Sequence, residues 1–140
     1  EFDSDDSTAT ISTIYGNKDG RTFVYAQEKG VNAAGSAMTA YIESGDIDIA
    51  DGDQFMSISR FIPDFKNQTG TVDVTVKSRP YPAASQTTNG PYAITTSTTK
   101  QDTRIRGRQL ALRVGSDAVD EDWRYGTMRF DGKPDGLRGA

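Results

Sequence analysis

The stretch TVDVTVK at residues 71–77 constrains this chain more than any other. Val72, Val74 and Val76 alternate with Thr71, Asp73, Thr75 and Lys77. A period of two places the valines on one side of an extended strand and the polar residues on the other. Such a strand buries one face and wets the other, so its valine face needs a second layer to cover it. Gly70 supplies the turn before it.

The rest of the chain reads as more strands. Residues 10–15 (TISTIY) and 21–27 (RTFVYAQ) flank GNKDG, a turn rich in residues that tolerate positive φ, and together make a β-hairpin. Residues 28–38 are Gly- and Ala-rich and read as a loop. Strand character resumes at 39–44 (TAYIES) and 55–65 (FMSISRFIPDF), where Pro63 forces an end or an edge position. Residues 79–91, with three prolines, read as a loop between two halves. Residues 92–99 follow as a half-exposed strand, 103–114 (TRIRGRQLALRV) as the longest strand, and 123–130 (WRYGTMRF) as the last. With three glycines and a proline, 131–140 (DGKPDGLRGA) reads as an irregular tail.

The expectation is an all-β chain of about seven to nine short strands with a Gly/Pro-rich C-terminal tail. Its architecture is an antiparallel β-sandwich, with a closed barrel as the alternative. Residues 1–40 are expected to be a hairpin and loop left from a preceding β domain, and residues 41–140 the sandwich. The chain opens on Glu1 rather than Met, which suggests trimming or a piece of something larger. Glu1-Phe2 also has the form of a cloning scar.

The residues that are missing exclude much chemistry. The chain of 140 residues has no cysteine and no histidine. Disulfides, thiolate nucleophiles, Ser-His-Asp triads and imidazole–zinc sites are therefore ruled out within it. No apolar run approaches the ~18 residues a membrane span needs. No cofactor is expected.

Two charged regions remain. GDIDIADGD places Asp46, Asp48, Asp51 and Asp53 at the short spacing a calcium loop uses, but it lacks the bidentate Glu of an EF-hand. The alternative is a strand with Ile47 and Ile49 inward and Asp46 and Asp48 in water. Two of these carboxylates could also serve a glycosidase. Seven of the ten arginines fall in residues 101–140, where eight bases meet seven acids. Arg104, Arg106 and Arg108 share one face of a strand, which Leu110, Leu112 and Val114 continue. Three adjacent like charges need neutralising. The balance of charge favours an Arg–carboxylate network, inside the domain or between subunits, over phosphate binding, which keeps a basic excess. Trp123, beside Arg124 and Tyr125, is either an interface anchor or a core tryptophan, with sugar stacking as a third reading.

Residues 103–139 resemble the C-terminal end of large virion structural proteins of tailed bacteriophages, those of the tail tube and nozzle. The features that carry the resemblance are Arg104 with Arg106–Gln109, Ser116–Ala118, Asp122–Arg124 with Gly126, and an ending at Arg129, Asp131, Pro134–Gly136 and Arg138. Residues 42–65 resemble the approach to that ending. The resemblance implies a non-enzymatic tail subunit located in the virion. Identical copies and neighbouring tail proteins would form a ring around the DNA exit channel. Genomic DNA would pass through without sequence-specific binding, and a net charge of −4 would not hold it back. The expected subunit contacts are Arg104, Arg106, Arg108, Trp123, Arg124, Arg129, Asp131 and Arg138. A carbohydrate- or surface-binding adhesion module is the competing function.

Overall fold

The structure, a computed structural model, describes residues 14–18, 21–25, 29–49 and 51–137. All regular structure among them is β. In chain order the strands are β1 Ile14–Lys18, β2 Arg21–Tyr25, β3 Ala40–Glu43, β4 Ile47–Asp48, β5 Gln54–Ile62 and β6 Phe65–Thr69. Then come β7 Val72–Arg79, β8 Thr87–Ile94, β9 Gln101–Gly107, β10 Gln109–Ser116, β11 Asp122–Tyr125 and β12 Arg129–Leu137. No helix in these residues is long and apolar enough to cross a membrane.

Every pairing is antiparallel. One sheet runs β3-β10-β7-β8, with β4 also paired to β10, and a second runs β12-β5-β9. Two ribbons, β1-β2 and β6-β11, complete the set. The sheets stay open rather than closing into a barrel, which settles the architecture as an antiparallel β-sandwich.

The valine strand is central, as its alternation requires. Val72, Val74 and Val76 are fully buried, and Asp73, Thr75 and Lys77 stay half-exposed on the other face. They pack with Ile94 of β8 and Val114 of β10 against Ile58 and Phe61 of β5 and Ile105 of β9, with Met128 beside them. Each such side chain contributes about 1.5–3 kcal/mol relative to exposure, so this core dominates the stability. Phe61 sits edge-on to Tyr92, ring centroids 5.6 Å apart.

The strand count exceeds seven to nine because several expected strands are divided. Residues 55–65 supply β5 and the start of β6, and 123–130 supply β11 and the start of β12. Residues 103–114 do not form one strand: β9 ends at Gly107, Arg108 bends, and β10 enters the other sheet. The buried positions of β9 are Thr103, Ile105 and Gly107, whereas Leu110, Leu112 and Val114 face the core from β10. The bend thus reverses the parity of the chain. Arg104 and Arg106 point outward while the leucines point in, so the single shared face expected from the sequence does not exist.

Three boundaries are corrected. The first hairpin strand includes Gly16, Asn17 and Lys18, and Lys18 pairs with Arg21. Asp19 and Gly20 lie outside the described residues. The loop expected over 79–91 gives way at Thr87 to β8. Pro91 is tolerated because β8 is an edge strand, and its register shifts between Val74 and Val76 of β7. Gly90 lies there with φ +105°, where a Cβ would come 2.9 Å from the Val74 carbonyl oxygen.

The third correction concerns the tail. Residues 131–137 are not irregular but belong to β12, which pairs with β5 along its length. As an edge strand it has no ladder partner on its free side, so Pro134 fits. Register shifts between Asp131 and Gly132 and between Pro134 and Leu137 absorb the residues that do not match β5. Arg138 lies outside the described residues.

Candidate functional site

The charged side chains occupy the outward faces of the two sheets. On the second sheet, the β9 alternation that buries Ile105 turns Arg104 and Arg106 outward. Arg106 reaches across to β12. Its Nε donates to Asp135 Oδ2 at 2.6 Å, its Nη2 donates to the Asp135 carbonyl at 2.9 Å, and its guanidinium lies 4.2 Å above the Phe55 ring. Arg60 of β5 faces Asp131 of β12 in register and pairs with it. The hydrogen bond and charge of Asp131 push the Arg60 guanidinium pKa further up. Arg104 and Arg129 form no ion pair among the described residues.

On the first sheet, Glu43 of β3 stands opposite Arg113 of β10. Its carboxylate accepts from Lys77 Nζ and from Arg113 Nη1, the latter at 2.8 Å. These two hydrogen bonds, Lys77 first, hold the Glu43 carboxyl below its ordinary range. Arg113 also stacks on Tyr41, 3.8 Å from the ring centroid. Beside that stack is a hollow of about 170 Å³ lined by Tyr41, Asp73, Pro91, Arg113 and Asp117 among others. Burial, then the charges of Asp117 and Glu121, push the Asp73 carboxyl up.

At the corner between the sheets, Arg79 Nε lies 3.1 Å from Asp46 Oδ2. The contact is an ion pair by distance, but its angle does not make a hydrogen bond. Gln86 also donates to Asp46, and Gln109 donates to Asp48 at 2.7 Å. Arg108 holds the bend through its backbone. Its N–H donates to the Arg79 carbonyl and its carbonyl accepts from Ile49. Its Nε and Nη1 are buried without an acceptor.

The acidic stretch departs from the calcium reading, and from the strand reading only at Ile47, since Asp46 and Asp48 are exposed as expected. No three acidic side chains converge on a cation position among the described residues. Nor is Ile47 buried: it is 59% exposed. It stands opposite Leu110 on the core side, but β4 is a two-residue strand at the sheet edge, which the narrower second sheet leaves uncovered.

In the β6-β11 ribbon, Trp123 packs on the core edge-on to Phe65, and its Nε1 donates to Ser116 Oγ at 3.0 Å. Its ring is committed to the interior. Arg124, by contrast, is exposed and in register with Lys66.

Of the expected contact residues, the fold brings Arg106 and Arg104 onto one face with Asp131 and Arg129. Arg108 goes to the corner, Trp123 to the core and Arg124 to the ribbon. Sequence reasoning missed Tyr41, Glu43, Lys77 and Arg79 as pairing residues, and named Asp46 and Asp135 without their partners. Only Lys77 carried a signal, as the outward residue of the alternating strand; the others depend on strand order. No family model matches the chain, and no curated protein matches it either.

Proposed function

We propose that the chain is a non-enzymatic structural domain of a tailed-bacteriophage tail, of the nozzle or tube type, which assembles with identical copies into a ring around the DNA exit channel. The supporting observation is how the motifs that carry the resemblance meet in space. Arg106, from the RGRQ strand, grips both the side chain and the carbonyl of Asp135 in the PDG ending. The motifs thus fasten strands to one another, as a scaffold requires. Arg104, Arg124 and Arg129 are left outward, without an acid partner among the described residues. Exposed arginine is a common anchor of specific subunit contacts.

The native mass of the chain at physiological salt, measured beside its denatured mass, tests this. A ring gives a large integer multiple of the subunit mass. A monomer at every concentration up to the millimolar range overturns it.

One observation favours the adhesion reading instead: the hollow beside Tyr41, a residue 58% exposed, which Asp73, Arg113 and Asp117 also line. Saturable glycan binding that Tyr41→Ala abolishes would establish that reading.

A further inference from the structure

The edges of the two principal sheets are not alike. The free edge of β8 carries Pro91, that of β12 carries Pro134 and two register shifts, and β9 alternates outward arginines. Proline, bulges and edge charge are the devices that stop a strand from meeting another chain. The β3–β4 edge carries neither proline nor a register shift, and all of its charge is acidic. Residues 40–53 contain no proline and no base. Ile42 and Ile47 stand opposite Val114 and Leu110 on the core side, yet they are 54% and 59% exposed. The same stretch holds five acids. Lys77, Arg79 and Arg113 take up Glu43 and Asp46, but Asp51 and Asp53 are exposed and form no ion pair among the described residues.

The complementary charge is on the β6-β11 ribbon. Lys66 and Arg124 are directly opposite across the two strands, both exposed, and neither has an acid partner among the described residues. Like charges opposite one another in a ladder repel and destabilise it unless an anion lies between them.

We infer that the β3–β4 edge of one copy docks on the β6-β11 ribbon of a second copy, Ile42 and Ile47 supplying the apolar contact and Asp51 and Asp53 meeting Lys66 and Arg124. The occupant is a second copy because this one chain carries both halves of the charge match on separate elements. A contact between two different patches is heterologous, so it closes into a ring or continues as a filament rather than stopping at a dimer. The inference rests on the ring assembly proposed above.

Charge reversal tests it with the whole chain. Lys66→Glu/Arg124→Glu makes the ribbon acidic, and Asp51→Lys/Asp53→Lys makes the edge basic. Each variant alone sets like charge against like, and its self-association is expected to weaken about a hundredfold or more. An equimolar mixture matches charge at every contact between unlike variants, so it is expected to regain association as strong as the native chain's, with the two variants alternating. Unchanged melting of each variant shows that it is folded. If the native chain assembles and both variants assemble equally well alone, or the mixture fails to recover, the docking is wrong and the ring stands. If the native chain is a monomer throughout, both fall.

Discussion

Replacing Phe61 by alanine tests whether the sandwich is held by its core or by its charged surface. Phe61 is 0% exposed, on the strand that pairs with both β9 and β12. Its ring meets Tyr92 edge-on at 5.6 Å and Phe130 at 6.1 Å. An aromatic side chain of this kind buries about 200 Å², worth about 5 kcal/mol at 25 cal/mol per Å². Alanine keeps a fraction of that, and the cavity it leaves adds its own penalty to what is lost, giving about 3–5 kcal/mol of destabilisation. In a chain of this length that lowers the melting temperature by roughly 10 to 15 °C. Phe130→Ala is the control. That ring touches Phe61 but is 36% exposed, so its removal is expected to cost less than half as much. Urea titration reads both, with the midpoint moving and the slope held. A cost below about 1 kcal/mol for Phe61→Ala, or equal costs for the two variants, would refute this account of the core.

Two further outcomes follow from the surface. A Cβ on residue 126 would lie 2.3 Å from Asp64 Oδ2, where the Gly126 and Thr127 N–H groups donate to Asp64. Gly126→Ala is expected to destabilise by about 1–3 kcal/mol in thermal melting, as overpacking does. Glu43 has a folded pKa below its unfolded value, so its contribution is complete above the ordinary carboxylate pKa and is lost as pH falls through the lowered one. Glu43→Gln is expected to lower the melting temperature at neutral pH and to lose that difference in strong acid; an equal difference at both pH values would count against the Lys77–Glu43–Arg113 cluster.

What was legible in the sequence was local. Alternation at Val72, Val74 and Val76 marked the central strand and its inward face, because a period of two is printed in the residue order itself. Thr103–Val114 shows the limit. The alternation of Arg104 and Arg106 and that of Leu110, Leu112 and Val114 are both real, but the bend at Arg108 shifts one against the other, and no composition rule marks a one-residue change of sheet. β12 was hidden for a different reason. Pro134 and its glycines are poor residues for a central strand and acceptable ones for an edge, and edge position is a property of strand order. Partners such as Arg106 and Asp135, or Glu43 and Arg113, are joined by that order too, so composition could announce an arginine–carboxylate network without saying who pairs with whom.

The bend at Arg108 has a mechanical side. Because β9 runs into β10 with one residue between them, the two layers are tied by covalent backbone at that corner. A load prying the layers apart there would pull on the chain itself before it reached the valines and Phe61. To yield, it would have to peel β9 from β5 or β10 from β7 one hydrogen bond at a time. A domain with such a seam can carry tension across its thickness as well as along its strands.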